Sequence, residues 1–281
     1  MPKKNPNQID MFIANLIDVA PKGDQTSMEV PLFSLRKQPD TDQFIWEKGR
    51  KKITVTPNRY GRATIWDKDI LIFLFSQIVA TKNRGGIPAR YIKVSAYDIL
   101  MATGRNTGGK GYSELKDALR RLGGTRIETN INMENLRDTR EFSLIQDWRS
   151  VSRGDKGHMT EIQITLSEWL YQAVTNFENV LTYDKKYFDI KKGYERRLYE
   201  IFRKHLGRKS EFTIGEGTLF HKMGIKDTPA NLRNFRRFLR DQDKEKLLAE
   251  EGSFSGVILG FSYVYDSSEK TITAYPRRSL V

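Results

Sequence analysis

A chain of 281 residues with 38% hydrophobic content is long enough for one large packed domain or two of ordinary size, and two are expected. Lys and Arg number 48 against 35 Asp and Glu, a formal charge of +13 that points to a polyanionic partner without saying which one. The absence of cysteine excludes disulfides, thiolate zinc sites and cysteine nucleophiles. The longest apolar run, Ile70 to Phe75, is far below the roughly 20 residues of a bilayer span, and the N-terminus lacks the apolar core of a signal peptide, so a cytoplasmic protein with no membrane partner is expected.

Residues 1–27 are polar, with Pro2, Pro6 and Pro21 and the pair Lys3 and Lys4, and read as a flexible basic arm in which Met11 to Val19 could form a short turn of helix. Glu29 to Leu35, Gln43 to Glu47 and Lys51 to Thr56 read as short strands separated by Lys-Gln-Pro-Asp and Lys-Gly-Arg turns, a β lead-in. Asp67 or Asp69 then begins an apolar helix to about Thr81, with Ile70, Leu71, Leu74, Phe75 and Ile78 at core-facing spacing. A strand at Tyr91 to Val94, a helix begun by Ser95 and a second helix over Tyr112 to Leu122 follow, the opening order of a winged helix. The wing is expected at Thr125 to Ile131 and Glu141 to Ile145, with a further strand at Glu161 to Thr165 and a closing helix from Ser167 to about Asn176.

The same order returns downstream: helix Tyr194 to Leu206, strand Glu211 to Ile214, helix Gly217 to Met223, helix Pro229 to Arg240, then strands Val257 to Tyr265 and Lys270 to Tyr275. At a constant offset of 120, Val94, Ile99, Leu100 and Gly104 fall on Ile214, Leu219, Phe220 and Gly224. Tyr112, Leu115, Ala118 and Leu119 fall on Leu232, Phe235, Phe238 and Leu239, so apolar positions coincide while exposed ones differ. The expected fold class is α+β, two tandem winged-helix domains with a β lead-in to the first: 28–180 and 181–281, with the boundary between Asn179 and Lys192.

The helix Pro229 to Arg240 carries the candidate DNA-reading residues. At 100° per residue Leu232, Phe235, Phe238 and Leu239 share one face and Arg233, Arg236, Arg237 and Arg240 the other, over an arc of roughly 100°. No acidic residue lies between Thr228 and Arg240. A charge run is ordinarily a solvated face, but four arginines without carboxylate partners repel one another unless an anion binds, which favours a DNA groove. Arg pairs bidentately with guanine or binds phosphate, and Asn231 or Asn234 could read adenine. Lys222 and Lys226 join a basic footprint running back through Arg208, Arg197 and Arg196 to Lys191. In the first domain Lys116 and Arg120 sit beside Glu114 and Asp117, a mixed face suited to phosphate or a partner, and dimerisation is assigned there.

Gly104 to Gly111 has the spacing of a phosphate-binding P-loop, yet Gly111 stands where Ser or Thr would hold Mg²⁺ and the segment follows a helix rather than a strand. It reads as an interhelical turn whose Arg105 and Lys110 could still meet DNA phosphate. His205-Leu-Gly-Arg208 has the H-x-x-R spacing of tyrosine recombinases, but a helix C-cap and basic turn is the simpler role. His158 and His221 are isolated, and no two histidines flank a single apolar residue. No catalytic residue, metal or cofactor is expected.

Thr-Pro-Asn-Arg-Tyr-Gly-Arg-Ala-Thr-Ile-Trp-Asp-Lys-Asp at 56–69, Ile-Leu-Met-Ala-Thr-Gly-Arg at 99–105, Tyr112 to Leu122 and Glu168-Trp-Leu together resemble the replication initiator protein A family of bacterial plasmids. The resemblance implies two winged helices, binding to repeated double-stranded origin sites called iterons, opening of adjacent duplex, and partnership with host replication proteins, the initiator ATPase and the helicase. It also implies repression of its own promoter as a homodimer. A winged-helix transcriptional regulator without initiator activity shares every residue named, and a DNA-processing enzyme is a remoter alternative.

Overall fold

The structure, a computed structural model, describes residues 11–14, 19–131, 139–153, 158–175, 180–241 and 253–277. Its N-terminal half contains β1 (Met11–Ala14), β2 (Lys22–Asp24), α1 (Gln25–Glu29), β3 (Phe44–Lys48), β4 (Lys51–Thr56), α2 (Lys68–Asn83), β5 (Tyr91–Ser95), α3 (Ala96–Ala102) and α4 (Gly109–Gly124). β6 (Arg126–Thr129), β7 (Arg140–Ser143), β8 (Ile145–Arg153), β9 (His158–Leu166) and α5 (Glu168–Thr175) complete it. After β10 (Val180–Thr182) come α6 (Gly193–Leu206), β11 (Phe212–Gly215), α7 (Glu216–Met223), α8 (Pro229–Asp241), β12 (Ser253–Ile258), β13 (Phe261–Asp266) and β14 (Thr271–Pro276).

Both halves are winged helices. In the first, α2, β5, α3 and α4 are followed by the β8–β9 hairpin, and the sheet order is β1-β5-β9-β8. In the second, α6, β11, α7 and α8 are followed by β12, β13 and β14, and β11 joins these three in a four-stranded antiparallel sheet of order β11-β14-β13-β12. The offset of 120 holds through the elements: α3 and α7 begin at Ala96 and Glu216, α4 and α8 at Gly109 and Pro229. Gly104 and Gly224, each just past the shorter helix, both take left-handed backbone (φ 62° and 70°), a conformation that costs glycine little.

Several expectations are corrected. The wing of the first unit is β8–β9, whereas β6 and β7 join the lead-in in a separate sheet of order β3-β4-β6-β7. The strand at 145–153 carries no apolar strand signature, because Gln146, Asp147, Arg149, Ser150 and Ser152 make it polar. Met11–Ala14 is not helical; it runs parallel to β5, where Tyr91, Lys93 and Ser95 alternate with buried Ile92 and Val94. Residues 19–27 are not an arm either, since β2 pairs with β10 and Asp24 and Ser27 are buried. The rest of the expected arm lies outside the described residues. Glu29 to Leu35 is no strand: it leaves α1 and makes a single bridge, Ser34 to Thr64. Val257 to Tyr265 is two strands, because Leu259 and Gly260 turn the chain between β12 and β13.

The apolar run of α2 has a specific cause. Every residue from Lys68 to Val79 is buried, and a helix covered on all sides needs no polar stripe. Ile70, Leu71, Phe73, Leu74 and Phe75 belong to the core of the first half, while Ile72 belongs with Met28 of α1 to the core of the second. The charges at the start of α2 are buried too. Lys68 Nζ donates to Glu200 Oε1 at 2.7 Å, with both side chains 1% exposed, and Arg196 donates to Asp69 at 2.5 Å. Glu200 also accepts from Arg197 (3.2 Å), Tyr183 (3.1 Å) and Tyr187 (3.0 Å). The remaining Arg197 N–H groups reach the backbone carbonyls of Lys222, Ser27 and Glu29. Asp67 accepts a bidentate pair from Arg121 of α4 at 2.7 and 2.8 Å. A polar seam of complete hydrogen bonding thus joins α2 and α4 to α6 and α1.

Removing one member of a buried pair strands the other, so Glu200→Ala is expected to lower stability in urea titrations by about 3–5 kcal/mol. Glu47→Ala, which breaks an exposed pair with Lys52, should cost at most about 1 kcal/mol. A second expectation concerns acid. The His205 imidazole beside Glu29, with Lys204 and Lys222 and against the pull of burial, holds its carboxyl well below the usual value of 4.5. A depressed folded-state pKa gives stability that is complete above 4.5 and is lost as pH falls below it. Glu29→Gln should therefore be less stable than wild type at neutral pH and show a flatter stability profile below pH 4.5.

Candidate nucleic-acid interface

Helix α8 is built as the sequence implies. Thr228 caps it, its Oγ1 accepting from Asn231 N (3.2 Å) and its carbonyl from Leu232 N (3.0 Å). The packed back holds Phe235 and Leu239, fully buried, with Phe220 5.4 Å from Phe235 and Tyr194 edge-on to Phe238 at 5.2 Å. On the front Arg233, Asn234, Arg237 and Arg240 are exposed. Arg233 and Arg237, one turn apart, have no ion-pair partner among the described residues. Arg240 lies 5.1 Å over the Phe254 ring.

Arg236 is a correction to the four-arginine face. It donates to both oxygens of Glu216 (2.6 to 3.0 Å), a 4%-exposed carboxylate at the start of α7 that also accepts from the Tyr265 hydroxyl. Burial pushes the Glu216 carboxyl up, but Arg236 and Tyr265 outweigh it and hold it below the usual carboxylate range. Twenty residues separate Arg236 from Glu216, so no helical spacing announces the pair. Lys222 is a second correction: it is buried, and its ammonium is bonded to Glu29. Asn231 spends its side-chain amide on the Lys226 carbonyl at 2.8 Å, fixing the α7–α8 turn. Lys226 is exposed, 4.0 Å from Asp42.

The wider footprint shrinks for the same reason. Arg196 and Arg197 are inside the seam, Lys204 holds Glu29 at 2.8 Å and Arg203 holds the Thr182 carbonyl at 2.8 Å. Lys191, Arg208 and Lys209 remain on the surface. His205 stacks on Phe212 (ring centroids 4.7 Å) with Nε2 3.3 Å from Glu29, a packing role at the end of α6.

In the first unit, α4 presents the expected mixed face. Arg120 pairs with Asp117 at 2.9 Å and lies 5.0 Å over Tyr60, Lys110 is 3.9 Å from Glu114, and Lys116 has no ion-pair partner among the described residues. Arg105 is half-buried and donates one guanidinium N–H to the Trp66 carbonyl at 2.5 Å. The loop from Gly104 to Gly111 joins two helices. A Cβ at Gly111 would stand 1.6 Å from the Asn106 carbonyl oxygen, which is why a side chain is excluded there. One basic cluster that the sequence presents only as a turn is Lys48, Arg50, Lys51 and Lys52, at the tip of the β3–β4 hairpin, all exposed. Four cations in five residues was the available signal.

The family model of replication initiator protein A matches residues 22–249. A protein of Wigglesworthia glossinidia brevipalpis whose name assigns it to replication is 38% identical over 226 residues, 79% of this chain and 82% of its own length. Among solved structures, selenomethionine derivatives of domains 2 and 3 of RctB align over 90% of this chain and 98% of theirs, with a TM-score of 0.64 at 13% identity. A second crystal structure of RctB domains 2–3 aligns over 90% and 96% with a TM-score of 0.55, also at 13% identity. At that identity the likeness speaks for the fold.

The two neighbouring arginines of α8 should separate in stability measurements. Arg236→Ala leaves buried Glu216 without its cation and is expected to lower stability by about 2–4 kcal/mol. Arg237→Ala, made on an exposed position with no ion-pair partner among the described residues, should stay within about 0.5 kcal/mol of wild type. Equal losses would show that Arg236 is as free as its neighbour.

Proposed function

Because this chain belongs to the replication initiator protein A family, we propose that it initiates replication by binding repeated double-stranded sites at an origin, with α8 of residues 181–281 as the reading element. The observation that carries the reading is the exposed row Arg233, Arg237 and Arg240 with Asn234, on a capped helix whose opposite face is locked into the core. Such a helix presents guanidinium groups at fixed spacing without having to order itself first. Guanine edges and phosphates are the groups that arginines in that geometry recognise. Arg236 contributes by orienting α8 on α7 rather than by touching bases.

Residues 28–180 are proposed to hold the chain to a second copy and to the DNA backbone. The mixed charges of α4 support phosphate binding through Lys116 and Arg120 and disfavour base reading. Binding is proposed to proceed without chemistry on DNA or nucleotide. Origin opening, recruitment of the host initiator ATPase and helicase, and repression of its own promoter follow from family membership as further parts of the same proposal. A purely regulatory role uses the same contacts and differs in one outcome: the gene would not let a linked origin fragment persist as a plasmid.

Alanine changes at Arg233, Arg237 and Arg240, titrated on specific and scrambled duplexes across salt concentrations, test the reading. A base-reading arginine should cost about 1–3 kcal/mol on the specific site only. A phosphate-binding arginine should weaken both duplexes alike and reduce the salt slope by about one. An unchanged specific-to-scrambled ratio in the triple variant would remove α8 from sequence reading. In the same preparations, supercoiled origin DNA with Mg²⁺ should stay un-nicked and ATP unhydrolysed. The full chain should sediment as a species heavier than a monomer at high concentration; a strict monomer would overturn the dimer assignment.

A further inference from the structure

The β3–β4 hairpin packs into the core of the first unit through Trp46, Ile53 and Val55, and it also touches the second. Trp46 is buried with its ring stacked on His221 of α7 at 5.2 Å, and Lys226 approaches Asp42 just upstream of the hairpin. Strand alternation puts Lys48 on the same face as Trp46, and Lys51, directly across the ladder from Lys48, on that face too. Consistent with this placement, burial and the nearby Lys48 and Lys222 charges together push the His221 imidazole down. A cleft of about 570 Å³ runs from Phe44 and Trp46 to Lys226, Asn231 and Asn234, so one continuous surface links the hairpin to the start of α8.

Two features of the tip point to an anionic ligand. Lys48 and Lys51 are paired like with like in the register, an arrangement that costs stability unless negative charge lies between or above them. Glu47 is the only acidic residue in the 47–52 stretch, and it pairs with Lys52 at 3.2 Å, which leaves Lys48, Arg50 and Lys51 without an ion-pair partner among the described residues. The tip is also held rigid. Asn130 accepts from Lys52 N and donates to the Arg50 carbonyl, both at 2.7 Å, and Thr129 Oγ1 donates to the Lys52 carbonyl at 3.1 Å. With the backbone held, only the side chains have to be ordered on meeting a phosphate.

We propose that the β3–β4 tip, through Lys48, Arg50 and Lys51, is a further DNA-backbone contact that flanks α8, distinct from the one proposed for Lys116 and Arg120 of α4. The proposal rests on the reading of α8 as a DNA-binding helix. Asp42 and Asp227 line the cleft between the two elements, so the cleft itself does not hold phosphate; the duplex lies across its mouth.

The test uses the full chain and a random-sequence duplex of several helical turns, with binding followed by fluorescence anisotropy over a salt series. Three proteins are compared: wild type, K48Q/R50Q/K51Q, and R233Q/R237Q. The hairpin variant is expected to melt no lower than wild type and to lower the salt slope by about 2 to 3, at about 0.9 for each phosphate that is no longer neutralised. Because the protein has no cysteine, R50C and R237C can each carry a DNA-cleaving iron chelate, and scission from R50C should fall beside that from R237C. An unchanged slope in the hairpin variant, or no scission from R50C, while R233Q/R237Q weakens binding, overturns the hairpin contact and leaves the α8 reading intact. Duplex binding that is absent in wild type, or untouched in R233Q/R237Q, overturns the α8 reading and the hairpin contact with it.

Discussion

Glu200 is the residue on which both halves of the molecule depend. Its carboxylate sits at the meeting of α2 and α6 and is bonded at once by Lys68, Arg197, Tyr183 and Tyr187. Burial raises the free energy of that charge, yet Lys68 and Arg197 more than offset it and keep the group ionised below its usual pKa. Such a cluster contributes little net stability compared with an apolar core of equal volume, but it tolerates only one geometry, because each missing bond leaves a buried charge exposed to low dielectric. It therefore orients more than it holds.

What it orients is the pair of helix–turn–helix elements. Arg197 reaches the Lys222 carbonyl at the end of α7, and Arg121 of α4 is clamped to Asp67 at the start of α2, so the seam touches the supports of both α8 and α4. Helix α2 completes the coupling by lending Ile72 to the second core and its other apolar residues to the first. The two winged helices are consequently not beads on a linker; they share a helix and a polar seam. A surface that draws residues from both, as the hairpin and α8 do, has fixed geometry for that reason.

The 56–69 segment that carries the family resemblance is, in the structure, chiefly scaffold. Asn58 donates to the Arg120 carbonyl at the end of α4, Arg62 pairs with Asp40 at 2.9 Å, and Asp67, Lys68 and Asp69 supply the seam. Buried charged groups demand particular partners in particular directions, which explains how a stretch so polar can be so distinctive. The exposed arginines of α8 face no such demand from the fold.

Hydrophobic periodicity and turn chemistry are local, and so the α-helices from α2 onward, β3, β4, the duplicated order with its offset of 120 and the packed back of α8 were legible in the residues alone, whereas α1 was not. The excess of positive charge and the family resemblance were legible as well. What tertiary structure decided was partnership between residues distant in sequence. No pattern within α8 reveals that Arg236 serves Glu216, that Lys222 is held by Glu29 193 residues away, or that Arg196 and Arg197 are core residues rather than footprint. Strand pairing was hidden for the same reason: β6 and β7 look like a wing until β3 and β4 are seen to compete for them, and β1 and β2 look like an arm until β5 and β10 supply their edges. A charge's role depends on which opposite charge lies nearest in space, and in this protein that neighbour is usually far along the chain.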